Sequence, residues 1–133
     1  MREILFRGKS VTDCRWVFGD LSNYGDYRAI TTTRGFSIID SCEVIPETVG
    51  QYTGVKDKNG TKIFEGDIIR HHYKNLAKNG YTSDKGVVKW DCKECFFYRT
   101  SLSGEDKTIS VDCIYEVIGN IYDNPELLEG DKT

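Results

Sequence analysis

The run Val49 to Ile69, VGQYTGVKDKNGTKIFEGDII, leaves this chain few ways to fold. Two apolar-patterned arms, Gln51–Lys56 and Thr61–Phe64, flank Asp57-Lys58-Asn59-Gly60. The Asn-Gly pair predicts a tight primed hairpin turn, with positive φ at both central residues. Glu65-Gly66-Asp67 predicts a second sharp turn, its Asp67 carboxylate accepting backbone N–H bonds. A strand is then expected over Ile68–Tyr73. Turn chemistry of this kind specifies a small β architecture and carries no activity with it.

The rest of the chain reads in the same terms. Glu3–Arg7 alternates charged residues with Ile4 and Phe6, the period-two pattern of a strand with one buried face. Gly8-Lys9-Ser10 is expected to turn the chain, and Arg15–Leu21 to form a second strand with Trp16 and Phe18 on one face. Tyr27–Thr33 and Phe36–Ile39 complete an N-terminal meander. Pro46 suits the first position of a single helical turn ending at Gly50. Beyond Tyr73, Lys74–Lys85 (KNLAKNGYTSDK) reads as a long polar loop. Strands are expected at Gly86–Asp91, Cys95–Arg99, Ile109–Ile114 and Tyr115–Ile121, with a turn over Ser101–Thr108. Asn124-Pro125-Glu126-Leu127-Leu128 has an N-cap residue, Pro at the first position and an early acid, the signals of a short terminal helix. Glu129–Thr133 should fray. The expected domains are a β region over 1–48, a barrel over 49–128 and a tail over 129–133. Five or six strands joined by glycine turns suit a small curled barrel of the SH3 or OB type better than a sandwich.

Composition agrees with an all-β, mainly strand, fold and narrows the function classes. Aromatics make up 12% of the 133 residues, Tyr and Phe dominating, and 13 glycines accompany only two prolines. Such usage suits half-buried strands and tight turns. Eighteen basic against 21 acidic residues give a net charge of −3, which supplies no chain-wide basic surface for nucleic acid. There is no apolar run of about 18 residues to span a membrane. Met1–Arg7 is too short an apolar run for a signal peptide. Five cysteines without regular spacing read as thiols of a reducing compartment, so the cytoplasm is the expected location.

Three runs together resemble one family: Arg2-Glu3-Ile4-Leu5-Phe6-Arg7 with Trp16 and Gly19 downstream, the central PETVGQYTGVKDKNGTKIFEGDII, and the terminal YEVIGNIYDNPELL. In that order and spacing, over about Met1 to Leu128, they are similar to the YopX family, small proteins encoded in phages and prophages. The resemblance implies an SH3-like barrel in the C-terminal two-thirds, a β-rich N-terminal part and an origin in mobile elements. It brings no established activity and no catalytic or binding residues. One departure stands out: the family's first strand commonly runs Phe-Arg-Ala-Trp, and here Phe6-Arg7 is followed by Gly8-Lys9.

Chemistry-bearing patterns are sparse. Cys92-Lys93-Glu94-Cys95 is the one metal-like spacing, but a structural zinc site needs four ligands and no second knuckle is present. No metal and no cofactor are therefore expected. His71 and His72 point to opposite sides of a strand, so at most one can join any site. An enzyme would need one of them to meet Asp67 or Asp84 in a pocket. No nucleophile–base order and no phosphate-cradling glycine motif occurs, and catalysis is not expected. The best raw material for binding is the set Tyr73, Tyr81, Trp90, Phe96 and Tyr98 with Lys89. The favoured expectation is a non-catalytic protein acting through a host or phage protein partner or as a homo-oligomer, because the apolar face Ile4, Phe6, Trp16 and Phe18 is too small for its own core. The alternative is weak binding of single-stranded nucleic acid on Trp90, Phe96 and Tyr98 with neighbouring lysines.

Overall fold

The computed structural model describes residues 3–34, 37–75, 80–102, 104–111 and 113–129. The chain forms two compact units, Met1–Gly54 and Val55–Thr133, so the division falls inside a strand rather than at the Pro46 connector. Nearly all regular structure is antiparallel strand, as composition and turn spacing imply.

In the first unit, β1 (Phe6–Lys9), β2 (Trp16–Asn23), β3 (Arg28–Arg34), β4 (Ser37–Val44) and β5 (Gly50–Lys56) lie in the order β4-β3-β2-β1-β5. A bridge between Ser10 and Val44, with Ile45 N–H donating to the Lys9 carbonyl at 2.8 Å, ties β4 back to the end of β1. Gly8 and Lys9 continue β1 instead of turning the chain, and the turn comes over the next residues. A Cβ on Gly8 would sit 2.9 Å from Val44 Cβ, which accounts for a residue without a side chain at this close approach. Register also corrects the expected N-terminal apolar face. Phe6 lies opposite Gly19 while Arg7 and Lys9 lie opposite Phe18 and Trp16, so Phe6 and Phe18 are on different faces. Trp16 is instead a platform for cations, with the Arg7 guanidinium 4.5 Å and the Lys9 ammonium 5.6 Å from its ring centroid. Ala29, Ile30, Val44 and Tyr52 are the buried apolar residues of this unit, with Ala29 and Ile30 on opposite faces of β3. Pro46–Thr48 is the expected single turn, of 3-10 type. Phe36 and residue 35 lie outside the described residues.

The second unit contains β6 (Lys62–Phe64), β7 (Asp67–Asn75), β8 (Gly80–Asp91), β9 (Phe96–Ser101), β10 (Asp106–Thr108) and β11 (Ile114–Asn120). Five of them form one sheet in the order β10-β9-β8-β7-β11. Among the described residues this sheet has two ends and does not close, so the expected SH3-like barrel is corrected to an open antiparallel sheet. Ile63, Ile69, Val88 and Tyr115 make its core, with Val55, Ile109, Cys113 and Val117 packed around them. Full burial of each such aliphatic side chain contributes about 1.5–3 kcal/mol.

Several elements differ from expectation. The polar Lys74–Lys85 stretch is a strand ribbon, with β7 running to Asn75 and pairing residue by residue with β8 from Gly80. Residues 76–79 at its tip lie outside the described residues. β10 occupies what reads as a turn, whereas Ile109, Ser110, Val111 and Cys113 are not strand. Asn124 precedes the expected terminal helical turn, Pro125–Leu128, but its side chain accepts from Asn120 N–H at 3.2 Å and makes no cap bond. Of the tail, residues 130–133 lie outside the described residues.

The central hairpin forms by a different turn from the one expected. Gly60 has φ +82° but Asn59 does not have positive φ, so no primed turn is present. Gly60 N–H donates to the Asp57 carbonyl (3.0 Å) and Asp57 N–H to the Thr61 carbonyl (2.8 Å), a type I turn followed by a glycine bulge. The Asp57 carboxylate decides the choice. Its Oδ1 accepts from Asn59 and Thr61 N–H at 2.8 and 2.9 Å, and its Oδ2 accepts from Val117 N–H at 3.0 Å. Lys58 N–H adds a bond to the Tyr115 carbonyl at 2.9 Å. The hairpin loop is thereby fastened along the outer side of β11. At the next turn Gly66 takes φ +92°, and Asp67 Oδ2 accepts from Phe64 N–H at 2.7 Å, the backbone role expected of it.

Candidate functional site

Strand alternation sorts the second unit's polar and aromatic side chains onto two faces of its sheet. Direct cross-strand partners share a face, so Asp84 goes with His71, Val88 with Arg99, and Trp90 with Phe97. On the other face Lys89 goes with Tyr98, Asp91 with Phe96, and Thr108 with Tyr98 from the opposite side.

The first face carries a buried ionic cluster. Arg99 is only 2% exposed, and its Nη1 donates to both Asp84 oxygens at 3.3 and 3.2 Å. Nη2 donates to His71 Nδ1 at 2.7 Å. A guanidinium has no acceptor, so Nδ1 is unprotonated and the imidazole proton is on Nε2. Arg99 starts opposite Val88 and must pass Gly86 to reach Asp84. Gly86 has no side chain in that path; an added Cβ would lie 3.5 Å from the Arg99 Cβ and 2.9 Å from the Thr100 carbonyl oxygen. Burial pushes the His71 pKa below its ordinary value; Arg99, Lys107 and His72 act the same way and Asp84 opposes them. The Tyr115 and Tyr73 rings pack at a tilt against the His71 ring, with centroids 5.4 and 5.2 Å away. Burial also raises the Tyr115 phenol above its ordinary value, although its oxygen accepts from Ser110 N–H at 3.0 Å. His71 Nδ1 lies 3.7 Å from Asp84 Oδ1, with Arg99 bonded to both and occupying the imidazole Nδ1. His72 is on the opposite face with Glu116, 3.3 Å away.

The second face holds the cleft. Phe96 and Tyr98, ring centroids 6.0 Å apart, line a hollow of about 150 Å³ together with Asp91, Asp106, Lys107 and Thr108. Tyr98 also borders a shallower hollow of about 300 Å³, whose wall includes Val87, Lys89, Glu65, Gly66 and Tyr122. Asp91 Oδ1 accepts from Lys93 and Glu94 N–H, and Asp106 Oδ1 accepts from the Thr100 hydroxyl at 2.7 Å.

Of the residues singled out from sequence, Phe96, Tyr98 and Lys89 are brought together. Trp90 borders the larger hollow with Tyr98 and Lys89, while its ring centroid lies 4.7 Å from that of Phe97, its cross-strand partner. Tyr73 is exposed on the first face, and the Tyr81 side chain lies outside the described residues. Asp91, Asp106 and Thr108 escaped notice because only the β8–β9 and β9–β10 registers place them beside the aromatics. Cys92 and Cys95 are exposed in the β8–β9 turn, with Cys95 at φ +59°. All five cysteines are free thiols, and among the described residues no three His, Cys, Asp or Glu side chains converge as a metal site. Among the described residues no helix is long and apolar enough to cross a membrane.

Comparison with known proteins adds a family and a fold. No curated protein matches the chain. A solved structure, the crystal structure of protein EF1440 from Enterococcus faecalis, is similar with a TM-score of 0.55 at 22% identity, over 97% of this chain and 100% of that one. At that identity the likeness speaks for the fold alone. The family model described as YopX protein matches residues 5–129, nearly the whole sequence, with the central and terminal runs entire and the first from Leu5 onward, and the chain belongs to the YopX family.

Proposed function

We propose that this chain is a non-catalytic accessory protein of a phage or prophage that works in the host cytoplasm by binding another protein. The observation that carries the reading is Tyr98. It is shared by two adjoining hollows whose rims hold charges of both signs, Lys89 against Asp91, Asp106 and Glu65. Aromatic rings set in a mixed-charge rim suit a polypeptide, whereas a phosphate backbone calls for a continuous basic track. The occupied Nδ1 of His71 supports the non-catalytic part, since that nitrogen is already committed to Arg99, and His72, beside Glu116, lines neither hollow.

A second reading, weak binding of single-stranded nucleic acid, draws on the pairing of Lys89 with Tyr98 across the β8–β9 ladder. Self-assembly is a third arrangement in which the bound protein is another copy, and it predicts a solution mass above the 15.2 kDa of one chain.

The test is capture from lysate of a lysogenic host on immobilised protein, with the Tyr98→Ala/Phe96→Ala variant beside it. The proposal expects discrete captured proteins that the variant loses while retaining its thermal unfolding transition. Equal capture by both proteins overturns it. A labelled oligonucleotide that binds at low salt and dissociates steeply with added salt favours the second reading.

A further inference from the structure

The two ends of the five-stranded sheet are not alike. At β11, the outward Tyr115 carbonyl and Val117 N–H are already taken by Lys58 N–H and the Asp57 carboxylate. At β10 the ladder to β9 shows the reverse. Ser101 N–H donates to the Glu105 carbonyl at 2.9 Å and Ile109 N–H to the Phe97 carbonyl at 3.2 Å. Lys107, paired with Arg99, is the hydrogen-bonded position between them. In an antiparallel ladder such positions alternate. The N–H and C=O groups of Asp106 and Thr108 therefore point away from β9, and none has a partner among the described residues. Two residues of strand edge, with the spacing an added strand would use, stand open.

The cleft lies directly beside that edge and has a definite polarity. Asp91 and Asp106 each keep one carboxylate oxygen outside the bonds described above, and neither forms an ion pair among the described residues. The Phe96 and Tyr98 rings lie between them. Lys107 does not neutralise this wall: register puts its side chain on the Arg99 face, where its charge acts on His71 and its Nζ is 3.8 Å from Glu105. Ring faces backed by carboxylates attract a cation. At about 150 Å³ the hollow is well below the roughly 300 Å³ at which drug-sized ligands are held, and it suits one side chain.

We infer that β10 accepts an extended peptide segment of a partner protein as an added antiparallel strand, with a lysine or arginine side chain of that segment seated between Phe96, Tyr98, Asp91 and Asp106. This rests on the protein-binding reading above and names the chemistry of the partner. Two open residues supply few backbone bonds, so selectivity resides in the cationic side chain.

The probe is a fluorescent heptapeptide of alternating Thr and Val with one central Lys. Its comparators are the same peptide with Glu at the centre and one with N-methylated backbone at alternate residues. The Lys peptide should shift the amide resonances of Asp106, Lys107 and Thr108 and bind at least about tenfold more tightly than the Glu peptide. N-methylation should abolish binding. Thr108→Pro removes an outward N–H that the β9 ladder does not use, as edge strands allow, and should abolish binding without moving the unfolding transition. Asp91→Asn/Asp106→Asn should reduce the preference for Lys over Glu. Equal binding of Lys and Glu peptides, or binding unaffected by N-methylation and Thr108→Pro, overturns the inference. If Tyr98-dependent capture from lysate survives in Thr108→Pro, strand addition alone falls; if capture never depended on Tyr98, the protein-binding reading falls with it.

Discussion

Arg99 reaches over β8 from β9 to β7 and donates a 2.7 Å hydrogen bond from Nη2 to Nδ1 of His71. Protonation of His71 would set two donors against each other and place a second positive charge beside a buried guanidinium. The folded chain therefore holds His71 neutral more strongly than the unfolded chain does. The resulting stability is complete above the ordinary imidazole value of 6.5 and shrinks as pH falls below it, until the lower folded value is passed. Urea midpoints measured from about pH 8 down to about pH 5 should fall for the native chain, and His71→Phe should remove part of that slope.

Arg99 and Asp84 form the charged half of the cluster. Truncating a buried ion-pair partner leaves the other charge uncompensated. Arg99→Ala should cost about 3 kcal/mol in urea unfolding, the low end for a buried pair because Asp84 retains 28% exposure. Asp84→Asn keeps an acceptor for Arg99 and should cost less. The order of the two losses is the informative readout.

Asp57 is expected to matter out of proportion to its place in a surface hairpin. Burial works to raise its pKa, but N–H bonds from Val117, Thr61 and Asn59 outweigh that effect and hold it below the ordinary value. Asp57→Asn puts an amide donor against one of those N–H groups and should lose about 1.5–3 kcal/mol. The carboxylate's contribution is present above the unfolded value of 3.8 and disappears as pH falls through the lower folded value. Acid titration of the native chain against Asp57→Asn should show the two unfolding curves converging at the acid end.

Gly66→Ala tests the second turn. A Cβ there would be strained at φ +92° and would lie 3.0 Å from the Tyr122 ring. A loss of about 1–3 kcal/mol in thermal or urea unfolding is expected. Tyr122→Ala combined with Gly66→Ala should recover the steric part of the loss and leave the conformational part.

What could be read beforehand was local chemistry. The Asp57–Gly60 turn, the Asp67 role, the single turn after Pro46 and the opposite facing of His71 and His72 all follow from side-chain preferences over a few residues. Long-range relationships could not be read. The primed turn failed because the Asp57 carboxylate also serves Val117, sixty residues on, and its bonds favour a bulged type I loop. β10 was invisible because all three of its side chains are exposed, so Asp106-Lys107-Thr108 has no apolar periodicity. Trp90 was grouped with Phe96 and Tyr98 by nearness in sequence, and only the folded sheet shows that it borders a hollow with Tyr98 while its ring packs on Phe97. The Lys74–Lys85 stretch reads as loop because a polar strand without apolar alternation resembles a loop in composition.

The asymmetry of the second sheet also governs assembly. With Lys58 and Asp57 covering β11, β10 is the end of this sheet left to recruit a strand, so among the described residues the sheet has valence one in edge pairing. Two copies meeting through β10 would exhaust each other and stop at a dimer. Propagation into a fibre by this sheet requires a second vacant end, and the loop of the central hairpin has removed it.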